Sequence, residues 1–447
     1  MPIFVAAIAD DDTGATDLAG MLTDQGMRVV VVLDDTSPEQ LQRWSADCEA
    51  VVLGTASRSI RKDDAYARTV AAVKLLQHLQ PQRLAIKYCS TFDSTVEGNI
   101  GSAIDAAMDV TGEHFTIALP ALPALGRTTY MGYHFVHQQL LSDSVLKHHP
   151  LNPMTNPHLP SHLRTQTRRS VGLLPYPEAH HGVQALQAGL RSLEEDGTEI
   201  VLLDCIDEGH LELIARAIHH LPLLTGSSAW ATVLPQIWRE QGLWQIAESS
   251  SLVREAGGYG FLIVSGSCSA ATRAQDEWAA AQGFLTIDLD AVVLAQTGVT
   301  ADDVIAQAAE ALLSGETCLV TTTRRSTKEN VHRWAMSNDL SVVEAGERIG
   351  HALARAIEQL LLRVMPQGLI VAGGETSSTL TRALGLGGLR IGPTIEPGVP
   401  VAGALARPQL ALTLKSGNFG SSDFYGRAIA AMKQMPTYPE SESKENR

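Results

Sequence analysis

Ala7-Ile8-Ala9-Asp10-Asp11-Asp12-Thr13-Gly14-Ala15-Thr16-Asp17 runs from a short apolar segment into three adjacent carboxylates and a small-residue turn. Residues 4–9 have the length and composition of a buried strand, and residues 10–17 read as a turn that leads into a helix. In open α/β sheets, ligands sit beyond the carboxyl ends of the strands, where the next helix offers unpaired N–H groups to an anion. Asp12 or Thr13 as a helix cap explains one polar residue here, but not a row of carboxylates. Asp10 and Asp11 are therefore expected to accept hydrogen bonds from a hydroxyl-bearing ligand, and one of them to act as general base toward an attacking hydroxyl. The residues alone leave open which.

The same alternation continues along the chain. Residues 29–33, 50–55, 84–88 and 115–119 are further apolar runs, separated by amphipathic stretches such as 63–79. This pattern predicts an α/β fold with a mainly parallel sheet flanked by helices. Residues 120–169 break the rhythm with His, Pro, Gly and aromatic side chains, and so long a stretch is read as a functional excursion on the ligand side. Runs at 171–174 and 199–205 restore the alternation, and 229–239 is expected to close the unit as a helix. A second alternating unit opens with 261–264 and continues through 284–289, 317–322 and 368–371. At 447 residues the chain exceeds what a single core supports. The expected division is an N-terminal domain over 1–246, a linker over 247–259, a second domain over 260–436 and a polar tail over 437–447, with an active-site cleft between the domains.

Asp plus Glu outnumber Lys plus Arg by 49 to 34, a formal net charge of −15, which disfavours nucleic acid and anionic membrane surfaces as partners. Any anion site must then be built locally, from backbone N–H groups and a few placed cations. No apolar run reaches the roughly 20 residues that span a bilayer. The first residues lack a basic region and a cleavage site. The five cysteines are scattered, with no Cys-x-x-Cys spacing, which points to a reducing cytoplasm.

Two more turns in the first unit carry chemistry. In Thr55-Ala56-Ser57-Arg58-Ser59 the Arg58 guanidinium offers a fork that matches a carboxylate. In Lys87-Tyr88-Cys89-Ser90-Thr91-Phe92-Asp93-Ser94-Thr95, followed by Glu97-Gly98-Asn99-Ile100-Gly101, Lys87 can bind an anion and Asp93 can orient hydroxyls. Cys89 has no His partner nearby in sequence and reads as a small buried filler. His148 and His149, adjacent on a loop without further ligands at metal spacing, are expected to anchor the loop or touch ligand rather than hold a metal. In the second unit Val264-Ser265-Gly266-Ser267-Cys268-Ser269, Ala372-Gly373-Gly374-Glu375-Thr376-Ser377 and Leu414-Lys415-Ser416-Gly417-Asn418-Phe419-Gly420 each follow a strand. They lack a Walker lysine and a G-x-G-x-x-G fingerprint. Together they offer N–H groups, caps and one cation to a phosphate, and so predict a nucleotide site.

In this order the motifs resemble the four-carbon acid sugar kinase family, whose members open with Asp-Asp-x-Thr-Gly and close with Gly-Gly-Glu/Asp-Thr-Ser and Lys-Ser-Gly-x-Phe-Gly. Lys-Tyr-Cys-Ser-Thr-Phe-Asp-Ser-Thr, Glu-Gly-Asn-Ile-Gly, the His-Pro-Leu-x-Pro-Met run and Lys-Ser-Gly-Asn-Phe-Gly are similar to its 3-oxo-tetronate kinase branch. The resemblance spans nearly the whole chain. It implies an N-terminal acid-sugar domain, a C-terminal ATP domain, ATP with Mg²⁺, and transfer of the γ-phosphate to the terminal hydroxyl of a four-carbon 3-oxo sugar acid. It also implies that Asp10, Asp11, Arg58, Lys87 and Asp93 serve the sugar acid, with Asp10 and Asp11 catalytic. Ser265, Ser267, Gly373, Gly374, Glu375, Thr376, Ser377, Lys415 and Gly417 would hold the nucleotide. Partners beyond these small molecules are not implied, and a homodimer is compatible with the pattern. Asp12, Leu125 and the pair Tyr133-His134 depart from the family pattern, all on the sugar side. The rival readings are a D-threonate or D-erythronate kinase, a nicotinamide-dependent oxidoreductase, whose fingerprint is missing, and a noncatalytic sugar-acid sensor, which the intact polar motifs oppose.

Overall fold

The computed structural model describes residues 3–33, 36–148, 152–246, 254–255, 257–297, 302–324, 328–435 and 437–438. His149 of the paired histidines, most of the expected linker (247–253 and 256) and tail residues 439–447 lie outside the described residues. The chain divides into two compact units, Met1–Ser249 and Ser250–Arg447.

In the first unit β1 (Val5–Ala9), α1 (Asp12–Asp24), β2 (Val29–Leu33), α2 (Pro38–Ser45), β3 (Ala50–Gly54), α3 (Lys62–Gln77), β4 (Arg83–Lys87), α4 (Asn99–Thr111) and β5 (Thr116–Leu119) alternate without a break. An antiparallel trio, β6 (Arg127–Tyr130), β7 (Tyr133–Val136) and β8 (Gln139–Leu140), and a short α5 (Leu159–Leu163) make up the excursion. The unit continues with β9 (Val171–Leu174), α6 (Tyr176–Ala179), α7 (Val183–Glu195), β10 (Ile200–Leu203), α8 (Glu208–Ile218), β11 (Leu223–Gly226) and α9 (Leu234–Glu240).

Its sheet runs β2-β3-β1-β4-β11-β5-β10-β9, every neighbour parallel. Parallel strands covered on both faces must be apolar throughout, and β2, Val-Val-Val-Val-Leu, is buried at every position. From β1 the chain moves outward to β2, returns to β3, and then crosses to β4 on the other side of β1. The direction of winding reverses at β1, the place where open α/β sheets bind ligands. Ala9 pairs with both Gly54 and Lys87, so the turns after β1, β3 and β4 open at one level.

The second unit contains β12 (Arg254–Glu255), β13 (Phe261–Ser265), α10 (Ala270–Ala281), β14 (Leu285–Asp288), α11 (Ala291–Thr297), α12 (Asp302–Leu313), β15 (Thr317–Thr321), α13 (Lys328–Ser337), α14 (Val342–Arg363), β16 (Gly368–Ala372), α15 (Gly374–Ala383), β17 (Gly388–Glu396), β18 (Val399–Ala404), β19 (Ala411–Lys415), α16 (Phe424–Lys433) and β20 (Thr437–Tyr438). Strands β14-β15-β13-β16-β19 are parallel, and β18 and β17 extend that sheet antiparallel. Phe261, Ile263, Leu319, Ile370, Phe424 and Met432 share the core between sheet and helices. Within the expected linker and tail, β12 pairs in parallel with β20.

Candidate active site

At the end of β1 the three carboxylates take separate tasks. Asp11 is the N-cap of α1: its Oδ1 accepts from Gly14 N at 2.5 Å and its Oδ2 from the Thr13 hydroxyl at 3.1 Å. Asp12 is buried with its carboxylate against Gly54, where any side chain at position 54 would collide with it. Asp10, 6% exposed, receives a bidentate bond from Arg58, Nε at 3.0 Å and Nη2 at 2.8 Å. The third Arg58 nitrogen, Nη1, lies 2.7 Å from Asp11 Oδ2. The loop after β3 is pinned to this arrangement, since Ser57 and Arg58 both donate their backbone N–H to the Asp10 carbonyl.

Burial acts to raise the Asp11 carboxyl, but Arg58, Lys87 and the hydrogen bonds from Gly14 and Thr13 together outweigh it and hold the group below the usual carboxylate range. Lys87, at the end of β4, places Nζ 3.8 Å from Asp17 Oδ2, an ion pair too long for a hydrogen bond. Asp17 is itself held by the Ser228 hydroxyl at 2.6 Å, and burial pushes its carboxyl above the ordinary value. Lys87 passes so close to Gly14 that a Cβ there would overlap both Nζ and Asp11 Oδ1. That close approach is the physical need for glycine in the opening motif.

Asp93 stands one step away: it accepts from the Thr91 hydroxyl at 2.7 Å, and Thr91 in turn meets the Cys89 thiol at 2.9 Å. Burial, with Asp93 beside it, pushes the Cys89 thiol up to about 11, the state of an inert filler rather than a nucleophile. The excursion fixes this loop from behind. Gln166 Nε2 reaches Ser94 Oγ and the Thr95 carbonyl, both at 2.8 Å, and Gln166 Oε1 accepts from Gly101 N at 3.1 Å. His162 Nε2 lies 3.1 Å from Ser94 Oγ, and Asn152 donates to the Ser59 hydroxyl at 3.2 Å. His134, one of the departures from the family pattern, is fully buried beside the Thr129 hydroxyl, and burial lowers its imidazole to about 4. It is a neutral packing element of the hairpin.

In the second unit the turns after β13, β16 and β19 come together. A Cβ on Gly266 would strike the Thr376 hydroxyl, and one on Gly417 would strike Ser267. Ser267, Gly373, Gly374 and Gly417 thus form one small-residue rim, with Thr376, Ser377 and an exposed Glu375 on the first turn of α15. The Ser377 hydroxyl is buried there without a hydrogen-bond partner. Ser265 is different: it is fully buried and donates to Asp276 Oδ2 at 2.9 Å. Thr321 and Thr323 donate to that same oxygen, and the Tyr425 hydroxyl to the other. The Ser265 side chain therefore ties strand ends together instead of facing a ligand.

Lys415, also fully buried, donates to Thr272 Oγ1 at 3.1 Å and to the carbonyls of Ser416 at 3.1 Å and Gly417 at 3.3 Å. Burial lowers its ammonium to about 8. Ser269 and Thr272 also donate to the Gly417 carbonyl, at 2.5 and 2.8 Å. In a trans peptide the carbonyl and the following N–H point opposite ways. Carbonyls drawn inward by Lys415 therefore turn the N–H groups of Gly417 and Asn418 outward, as an anion requires.

Residues that the sequence reading passed over are Asp17, Ser228, Asn99, His162 and Gln166. Asp17 carries a detectable signal, because it lies one helical turn beyond Gly14 on the same face of α1. The others meet the site only through the tertiary fold.

Residues 5–234 match the sugar-binding N-terminal domain family and residues 262–425 the nucleotide-binding C-terminal domain family. The chain is 39% identical to a 3-oxo-tetronate kinase of Pseudomonas fluorescens, covering 96% of this chain and 97% of that one. It is 35% identical to a 3-oxo-tetronate kinase of Salmonella typhimurium, covering 95% and 98%. Among solved structures it resembles a Salmonella typhimurium protein provisionally described as a tRNA synthase, with a TM-score of 0.78, 35% identity and coverage of 95% and 98%. A Haemophilus influenzae protein matches with a TM-score of 0.71, 30% identity and coverage of 96% and 100%. The paired domain matches and the full-length likeness to these kinases show that the chain belongs to the 3-oxo-tetronate kinase family.

Proposed function

We propose that the chain transfers the γ-phosphate of ATP to the terminal C4 hydroxyl of a 3-oxo-tetronate, giving the 4-phosphate and ADP. The observation that carries this reading is the meeting of Lys87, Arg58, Asp10 and Asp11 at one sheet edge, in a chain that matches 3-oxo-tetronate kinases from end to end. A new P–O bond forms to the C4 oxygen, the bond from Pγ to the β–γ bridging oxygen breaks, and the hydroxyl proton leaves to a carboxylate.

Asp11 is assigned that carboxylate. Both carboxylates are hydrogen-bonded within the chain, but the Asp11 side chain is 21% exposed against 6% for Asp10, so Asp11 is the one an incoming hydroxyl can reach. Arg58 is accordingly assigned to holding the two carboxylates in place, and Lys87 to receiving the carboxylate of the acid. Asp93 steadies the loop that carries Cys89 and Ser94. A carboxylate held as acidic as Asp11 is a weak base, which suits phosphoryl transfer, where the hydroxyl is oriented early and loses its proton late.

On the nucleotide side the outward N–H groups near Gly417 and the first turn of α15 receive phosphate oxygens. Mg²⁺ fits this donor set, because it needs only one or two carboxylates when phosphates and water complete its shell, and Glu375 is the exposed carboxylate at that turn. Bound with ATP, the ion would neutralise charge on the β and γ phosphates. An ATP-dependent step in small-molecule metabolism supports a cytoplasmic location for this reaction. Separately, no described helix is long and apolar enough to cross a membrane.

The test is ADP release with Mg²⁺-ATP across 3-oxo-tetronates, D-threonate and D-erythronate, with the phosphorylated carbon located by NMR. Turnover confined to the 3-oxo acids, with phosphate at C4, is expected. Faster turnover of threonate or erythronate, or no ADP with any acid, would overturn the reading.

A further inference from the structure

We infer that the side-chain amide of Asn99 seats the C2 hydroxyl of the sugar acid beside Lys87, which takes the neighbouring C1 carboxylate; this rests on the sugar-acid reading above. Asn99 opens α4 behind a glycine N-cap that supplies no side chain. It is 1% exposed, and its Oδ1 is buried without a hydrogen-bond partner. Native interiors rarely keep such an acceptor unless something from outside the chain completes it.

What lies in front of Asn99 is a cavity of about 10 Å³, shared with Asp10, Ser57 and Lys87 over a floor of Ile86 and Ile100. That is the room one water or one hydroxyl oxygen needs. Among the described residues, Asp10 and Ser57 already have partners, Lys87 has only the 3.8 Å ion pair with Asp17, and no lining group hydrogen-bonds Asn99 Oδ1. Both Asp10 oxygens sit in the Arg58 fork, and the Ser57 hydroxyl is 2.8 Å from Thr55 Oγ1. Asn99 therefore looks to a ligand for its donor.

An amide oxygen accepts and never donates, so it selects a hydroxyl over a keto or carboxylate oxygen. A 3-oxo-tetronate has hydroxyls only at C2 and C4. The C4 hydroxyl must stay open to the γ-phosphate, so the one enclosed against Asn99 is at C2. Its C1 carboxylate, outside this one-oxygen space, then falls on the side of Lys87, which lines the same cavity. Asn99 in this role reads both the presence and the configuration of the C2 hydroxyl, while leaving the reacting end untouched.

Calorimetric titration of the wild type, Asn99→Ala and Asn99→Ser with a 3-oxo-tetronate and with its 2-deoxy analogue tests this, with ADP release followed in parallel. The wild type should bind the full acid about tenfold or more tightly than the deoxy acid, the worth of one buried hydrogen bond. Both variants should bring that ratio close to one while keeping the affinity for the deoxy acid. A ratio near one in the wild type overturns the inference, and so does a ratio that persists in the variants while both affinities fall together, as a purely structural role would give. Binding with the predicted ratio but no ADP release would sink the kinase reading and leave Asn99 in place. Turnover with a ratio insensitive to Asn99 would do the reverse, and no binding of either acid would sink both.

Discussion

All three side-chain nitrogens of Arg58 face the carboxylates of Asp10 and Asp11, so one guanidinium both neutralises and orients the acidic pair. Lys could not do this, because a point charge cannot serve two carboxylates in fixed planes. The pair is thereby divided into a buried anchor and a reachable oxygen, which is why Asp11→Asn is the informative substitution. The amide keeps the size of the cap residue and loses the proton acceptor. In this variant kcat should fall about 10²- to 10⁴-fold with the ATP KM unchanged, the usual worth of a positioned acid–base group. The pH profile makes a second check. Because Arg58 and Lys87, with the bonds from Gly14 and Thr13, overcome burial to hold Asp11 below its ordinary value of 3.8, the group stays ionised down through the usual carboxylate range. The stability it contributes is present above 3.8 and lost only as pH falls through the lower, folded value. A variant with wild-type kcat would remove Asp11 from the proposed role, whereas a kcat limb near pH 6 that disappears in Asp11→Asn would keep the role and show that the group is not held below its ordinary value.

At the level of elements, the turn after β19 is proposed to let a buried cation serve an anion without touching it. Lys415 holds two carbonyls inward, and its ammonium is lowered to about 8 by burial. As pH rises through that value the charge and one of three donors are lost and the carbonyls are held less firmly, so the wild-type ATP KM should climb between pH 7 and 9. Lys415→Met should raise the ATP KM on the order of tenfold at pH 7, the value of a charge-assisted hydrogen bond, and abolish the further climb. The stability sign is opposite to that of a partnered lysine. The folded value lies below the unfolded 10.5, so the cost of burying the charge is present below about 8 and fades between 8 and 10.5. Persistence of the KM climb in Lys415→Met would show that another group titrates. This turn was readable in the sequence because an apolar run, a cation and glycines stand side by side, and the turns after β1, β4 and β16 likewise set charged or small residues directly behind an apolar run. β11 was not: Leu-Leu-Thr-Gly is four residues behind Pro222, too short for any period to show. The β17–β18 pair was hidden by its prolines, which normally argue against a strand. Pro393 falls within the register shift between Ile391 and Thr394, and Pro397-Gly398, with Gly398 at φ +80°, makes the connecting turn. Gln166 escaped because a side chain that reaches 71 residues away leaves no local pattern, and Asn99, although it stands inside the Glu-Gly-Asn-Ile-Gly motif, shows its role only through the cavity it faces.

Over the whole molecule the charge balance is the property that composition alone makes plain, and it bears on the solved relative described in terms of tRNA. A net charge of −15 on 447 residues creates a field that repels a polyanion, whereas ATP and a small acid need only a few local donors. The cations at the first site do not form a patch: Arg58 is committed to Asp10 and Asp11, and the Lys87 side chain is 5% exposed. The rim proposed for the nucleotide would obey the same rule, with Lys415 buried and backbone N–H groups assigned to the phosphate. Phosphate backbones are held instead by several exposed Lys and Arg side chains, which release counterions and make affinity fall steeply with salt. The chain should therefore leave the electrophoretic mobility of tRNA unchanged at micromolar protein in about 0.1 M salt, a concentration at which non-specific binders with dissociation constants of about 10⁻⁶ M are already visible. Retardation by submicromolar protein, weakening steeply as salt is raised, would mean that cations elsewhere on the surface gather into a site that the net charge conceals.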